Sequence, residues 1–241
     1  MENNPFETSQ YHGKDLSVSK SFMSSVFSWM FVALLISAVM AFGFSQSEEL
    51  LKLLINFETG KLNIFGYVTL FAPLLFVMAI GMGFNRFSYP VILILFLAFA
   101  TINGISLSFI FLAYNLGTIY TTFGIAAVTF GVMAVAGYTT KKDLTGFGSI
   151  MFMGLIGIII ASVVNFFLHS SQMDYIISFI GVLVFTGLTA YDVQKLKVIG
   201  SGIAFEEKQT ANKLAIMGAL NLYLDFINLF LFLLRIFGRR K

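Results

Sequence analysis

The stretch NLYLDFINLF, Asn221 to Phe230, sets a carboxylate in the middle of residues that otherwise dissolve in lipid. Read as a helix, Gly218, Asn221, Asp225 and Asn228 follow one another at steps of three and four, which puts all four on one face. Leu222, Phe226, Leu229 and Leu233 cover the remainder. An ionised Asp at bilayer depth costs about 2.5–3.5 kcal/mol even on a lenient insertion scale. Such a stripe needs a protein-lined interior to face, so the segment belongs to a bundle of membrane helices.

Composition agrees. The 241 residues are 58% hydrophobic and only 11% charged, with a mean hydropathy of +0.88, whereas a soluble domain carries about 25% charge. A spanning helix needs about 20 mostly apolar residues. Seven segments qualify, near 23–44, 64–84, 90–114, 118–138, 147–168, 174–195 and 212–235. Short connections after the second, third and fifth make neighbouring helices antiparallel. The expected organisation is a polar N-terminal tail, 1–22, one membrane domain, 23–238, and a basic tail, 239–241. The start MENNPFETSQYHGKDLSVSK lacks the short basic opening of a removable signal peptide. In the loop SQSEELLKLLINFETGK (45–61), Ser47 is placed to cap a short interfacial helix with Glu48 and Glu49 in its first turn.

Lysine and arginine near the span ends set the orientation. One side carries Lys14, Lys20, Arg86, Lys141, Lys142, Lys195, Lys197, Lys208 and Lys213; the other carries Lys52, Lys61 and the C-terminal Arg235, Arg239, Arg240 and Lys241. This places the N-terminus in the cytoplasm. Seven full spans leave the basic tail outside, against the rule, so a re-entrant last segment is the alternative.

Two carboxylates lie within apolar segments. Asp225 is one; Asp192, in FTGLTAYDVQKLK (185–197), is the other, with Thr189 on its face at a spacing of three. Asp174 sits at a span start, where water and the helix dipole accommodate it. The sixth and seventh spans are consecutive, so Asp192 and Asp225 can meet. Two carboxyls sharing a low-dielectric site do not both ionise cheaply and hold one proton between them. Such a pair is a pH-sensitive latch: one shared proton bridges it, and its loss leaves two charges that repel or recruit a cation. Simple helix counting opposes the pairing, because at 1.5 Å per residue the two depths differ by on the order of 10 Å. Pairing requires the seventh helix to begin above the membrane surface or the sixth to sit deep. The alternative is that each Asp is satisfied singly, by Thr189, Tyr191 or a neighbouring Asn. Arg86 and Lys195 are candidate counter-charges.

Other chemistry falls away. There is no cysteine, and His12 and His169 have no ligand-spaced companions, so no compact metal motif exists. GMGFNR has no strand before it and no phosphate-binding pattern after it. No cofactor is expected, and nothing supports nucleic acid as a partner. An intramembrane aspartyl protease also uses Asp on its sixth and seventh helices, but its GxGD element is replaced here by Leu222-Tyr223-Leu224-Asp225. The protein is therefore expected not to be an enzyme. Small residues make packing seams: Gly154, Gly157, Ala161 and Asn165 on the fifth span, and Gly104 and Ser108 beside Asn103 on the third.

FTGLTAYDVQKLK (185–197), ALNLYLDFINLFLFLLRIFG (219–238) and YTTKKDLTGFGS (138–149) together resemble the Bax inhibitor-1 family, also called TMBIM, in its bacterial YccA-like branch. The resemblance runs over essentially the whole chain. It implies an all-α integral membrane fold in which helices 1–6 pack around a central helix 7. It also implies a pH-dependent Ca²⁺ leak sensed by paired aspartates, which map onto Asp192 and Asp225, and a gating arginine, to which Arg86 is the nearest match. Relatives with a glutamate in the second helix differ from this chain, whose GYVTLFAPLLFVMAIGMGF has none. Some bacterial members are linked to a membrane-bound AAA protease.

The leading expectation is thus a proton-regulated passive cation leak in a bacterial inner (cytoplasmic) membrane. Asp192 and Asp225 would form a latch and a weak Ca²⁺ site, with Asn221, Asn228 and Thr189 lining the path. An interaction protein modulating a membrane protease and a cation–proton exchanger are the alternatives.

Overall fold

The structure, a computed structural model, describes the backbone of residues 5–203 and 208–238 and the side chains from residue 19 onward. Eight helices follow in order: α1 (Pro5–Gln46), α2 (Glu48–Leu54), α3 (Ile64–Gly83), α4 (Tyr89–Ala113), α5 (Leu116–Thr139), α6 (Thr145–Leu168), α7 (Ser171–Gly202) and α8 (Lys208–Phe237). All but α2 are long and apolar enough to span a membrane. The chain is an all-α integral membrane bundle, as the hydropathy pattern predicts. The segment read as a polar tail, 1–22, is helical from Pro5 and runs without a break into the first span. The basic tail 239–241 lies outside the described residues.

Burial identifies the axis of the bundle. Of the most apolar window of α8, 72% is buried, against 6% for α6 and 17% for α3. The last span is therefore central, as expected, but four of the six other spans do the surrounding. α8 packs against α1, α4, α5 and α7, while α3 lies outside against α4 and α6 outside against α7. Leu220, Leu222, Tyr223 and Leu229 are among the most fully enclosed side chains of the protein. A re-entrant last segment is overturned: α8 is one continuous helix of 30 residues, about 45 Å long. Its end meets the far end of the bundle, where Arg235 pairs with Asp174 at the start of α7 (3.5 Å).

The seams are partly those expected. A Cβ on Gly104 would run into the backbone of Ser37, so α1 and α4 touch main chain to main chain. On α6, Gly154 lies against Val184, but Gly157 faces open space, and Asn165 accepts the Ser170 amide (3.0 Å). The expected α6 stripe therefore makes close contact at one glycine. Ser47 caps α2 by accepting the Leu50 amide (3.3 Å), and Glu48 pairs with Lys52 (2.7 Å). Beyond α2, a two-residue strand pair, β1 (Ile55–Asn56) and β2 (Lys61–Leu62), closes the loop as a hairpin. Gly60 turns it with a φ of 66°.

A hydrogen-bonded chain fastens α8 to its neighbours. Ser37 spends its hydroxyl proton on Ala100 O (2.7 Å), so at its contact with Tyr223 (2.7 Å) the tyrosine donates. Tyr223 in turn accepts from Asn103 Nδ2 (2.8 Å). Three bonds thus tie α4, α8 and α1 at a site where Tyr223 is fully buried.

Candidate functional site: a carboxyl pair in a half-polar cavity

The packing of α7 on α8 fixes which residues meet. Gly218 lies against Leu196, and Gly181 against Phe232, as two antiparallel helices require. Four residues back from Leu196 is Asp192; four residues on from Gly218 is Leu222, and Asp225 lies less than a turn beyond it. Asp192 and Asp225 accordingly come together as neighbours lining one cavity. The depth conflict disappears because neither helix ends at the edge of its apolar run and the register set by Gly218 on Leu196 starts α8 beyond the end of α7. α7 continues seven residues past Lys195, to Gly202, and α8 starts at Lys208. Asp192 is therefore well inside its helix, and α8 begins beyond the end of α7.

The pair lies in a cavity of about 540 Å³ walled by α6, α7 and α8. Asn221 and Asn228, one turn on either side of Asp225, line it. Asn228 commits an amide proton to Leu224 O (2.8 Å), which leaves its carbonyl oxygen as an acceptor. The cavity grades from wet to dry: Lys195 is exposed, Asp192 half-buried, and Asp225 only 5% exposed. Asp225 Oδ2 has no hydrogen-bond partner among the described residues. On the dry side, Phe185, which also lines the cavity, stacks on Phe232 with centroids 5.8 Å apart. Apolar rings bound the cavity there.

Two of the expected residues are elsewhere. Thr189 is fully buried and donates to Phe185 O on its own helix (2.8 Å), the usual way a helical Thr is satisfied; it does not line the cavity. Arg86 is exposed in the turn between α3 and α4, away from the cavity, whose cation is Lys195 instead. The third position after Asp192 is the face-sharing spacing that points to Lys195. Tyr191, expected only as a partner that could satisfy a single Asp, also lines the cavity, and so does Ser149, for which spacing gave no sign. Tyr191 lies flat on α6, where a Cβ at Gly148 would collide with its ring. As a metal site the cavity is sparse, since no group of three or more His, Cys, Asp or Glu that could hold an ion occurs among the described residues.

The model of the family described as inhibitor of apoptosis-promoting Bax1 matches residues 19–241. The chain belongs to the Bax inhibitor-1 family. It is 43% identical to the inner membrane protein YbhL of Escherichia coli (strain K12) over 222 residues, which are 92% of this chain and 93% of that one. It is also 43% identical to protein RP147 of Rickettsia prowazekii, over 92% of this chain and 91% of the other. A protein of Borreliella burgdorferi is 41% identical over 95% and 96%. The family match extends across all seven spans, and the carboxyl pair falls within it.

Proposed function

We propose that the protein is a passive, proton-regulated cation leak of a bacterial inner membrane, with the start of α1 in the cytoplasm and Asp192 and Asp225 as its latch. The observation that carries the reading is Asp225 Oδ2. A carboxyl oxygen buried at bilayer depth with no partner among the described residues is expensive in a structural role, and it is suited to taking up a proton or a cation from the cavity. With one proton shared, a hydrogen bond joins α7 to α8. With none, two anions face each other in apolar surroundings and either separate or capture a cation.

Calcium suits this donor set. Two carboxyls with the amide oxygens of Asn221 and Asn228 fall short of the six to eight oxygens of a tight Ca²⁺ site, and weak transient binding is what conduction requires. The aromatic block at Phe185 and Phe232 is the closed state of such a path. Opening would shift α7 on α8 once the bridging proton leaves, so flux should rise with pH.

The test is Ca²⁺ flux from liposomes holding the purified protein, measured across the neutral pH range. Asp225→Asn supplies a permanent amide donor to Asp192 and should flatten the pH response. An unchanged response in both Asp225→Asn and Asp192→Asn would defeat the latch. Flux that follows an imposed proton gradient and not pH itself would make the protein an exchanger. If there is no flux and a membrane protease co-purifies, the interaction-protein reading wins.

A further inference from the structure

A second cavity, of about 620 Å³, lies at the end of the bundle where the membrane-spanning part of α1 begins and α5 gives way to α6. Its size is within the ordinary range of ligand pockets, roughly 300–1,000 Å³. Lys20 of α1, Lys141 and Lys142 of the α5–α6 connection and Lys197 of α7 all line it. Neither ion pair found among the described residues involves any of these four lysines. The one carboxylate among the described residues of the lining, Asp143, is already committed: it accepts the hydroxyl (2.6 Å) and the amide (2.9 Å) of Thr145. Those two bonds hold its carboxyl below the usual carboxylate range.

The frame beneath the lysines is fixed. Gln194 of α7 accepts from Leu144 N (2.8 Å) and donates to Lys142 O (2.8 Å), clamping the connection that carries Lys141 and Lys142. Lys197 donates to Tyr138 O (2.7 Å) and lies 5.1 Å from the Tyr138 ring centroid. Tyr138 is in the last turn of α5, and a tyrosine at the end of a span marks the headgroup level of a bilayer. Three ammonium groups without carboxylate partners among the described residues, brought from two separate stretches of chain to one cavity at that depth, make an anion site.

We infer that this cavity binds a phosphate group, held among Lys20, Lys141 and Lys142 with Lys197 fixed behind them. The phosphate of an anionic lipid headgroup and free phosphate share this chemistry. Basic cavities between helices at the membrane surface take lipid headgroups in this way. The inference stands apart from the carboxyl pair, which occupies a different cavity.

The test uses full-length protein in bilayer discs containing phosphatidylglycerol and phosphatidylcholine, with the retained lipid counted after extraction and inorganic phosphate added as competitor. Wild type should retain phosphatidylglycerol preferentially. Lys20→Gln, Lys141→Gln and Lys142→Gln should each weaken that retention about fivefold, and Lys52→Gln with Lys61→Gln, at the other end of the bundle, should not. Loss in the three variants without displacement by phosphate assigns a lipid headgroup; displacement by millimolar phosphate assigns free phosphate as a ligand of the same site. If retention and phosphate binding are the same in wild type and in the triple variant, or fall equally in the Lys52/Lys61 control, the site does not exist. Lys197 is left intact because its bond to Tyr138 O supports the fold.

Discussion

Replacing Tyr223 by Phe removes one oxygen from the centre of the protein, and the hydrogen-bond directions say what that costs. Asn103 Nδ2 loses its acceptor, whereas Ser37 loses a donor but keeps its own bond to Ala100 O. The change therefore creates one orphaned amide donor and one under-used hydroxyl. An unsatisfied buried donor costs about 1–3 kcal/mol, and hydrogen bonds between membrane helices average nearer 0.6 kcal/mol with a maximum near 1.7. The two ranges overlap at about 1–2 kcal/mol, which is roughly a 5- to 30-fold fall in the ratio of folded to unfolded protein. The assay is equilibrium unfolding by SDS in mixed micelles, followed by the fluorescence of Trp29, the single tryptophan, on α1. Asn103→Leu in the same background removes the orphan, so Tyr223→Phe with Asn103→Leu should be more stable than the two single losses imply. A Tyr223→Phe protein as stable as wild type would refute the directed chain, as would a double variant whose loss is strictly additive.

Two further outcomes follow from close contacts and clamps. Gly137→Ala drives a methyl into the backbone of Ala190 and should cost at least about 1–3 kcal/mol, read as a lower SDS midpoint. Gly131→Ala on the same helix meets open space and should be neutral or gain up to about 1 kcal/mol of helix propensity. Gln194→Leu cuts both bonds that hold the α5–α6 connection; hydrogen exchange of the Leu144 amide should speed up while the midpoint for the bundle moves little.

Hydropathy and helical spacing suffice for the spans, for the polar face of α8 and for the two aspartates, because each of these depends on residues a few positions apart. What they cannot supply is register between helices. Asp192 and Asp225 look misaligned when the spans are cut at the edge of the apolar run. They align because α7 runs on to Gly202, as a helix of mixed polarity that hydropathy alone ends too early, and α8 starts beyond that end. The same limit explains the misplaced residues. Spacing puts Thr189 on a face with Asp192 but does not show that its hydroxyl turns back to Phe185 O. Arg86 and Lys195 are both candidate counter-charges by their place near span ends, and only Lys195, three positions from Asp192, lines the cavity. Tyr223 gave no signal as a hub, since its partners are 120 and 186 residues away.

The peripheral position of α6 has a consequence for access to the carboxyl pair. This helix supplies one wall of the cavity, yet it buries only Gly148 and Ile158 and leans chiefly on α7. Moving it disturbs little of the core, whereas moving α8 would break the bonds of Tyr223. The least costly way to widen the cavity around Asp225 is therefore to swing α6 outward into the lipid, so the composition and lateral pressure of the surrounding bilayer would govern how far that wall gives.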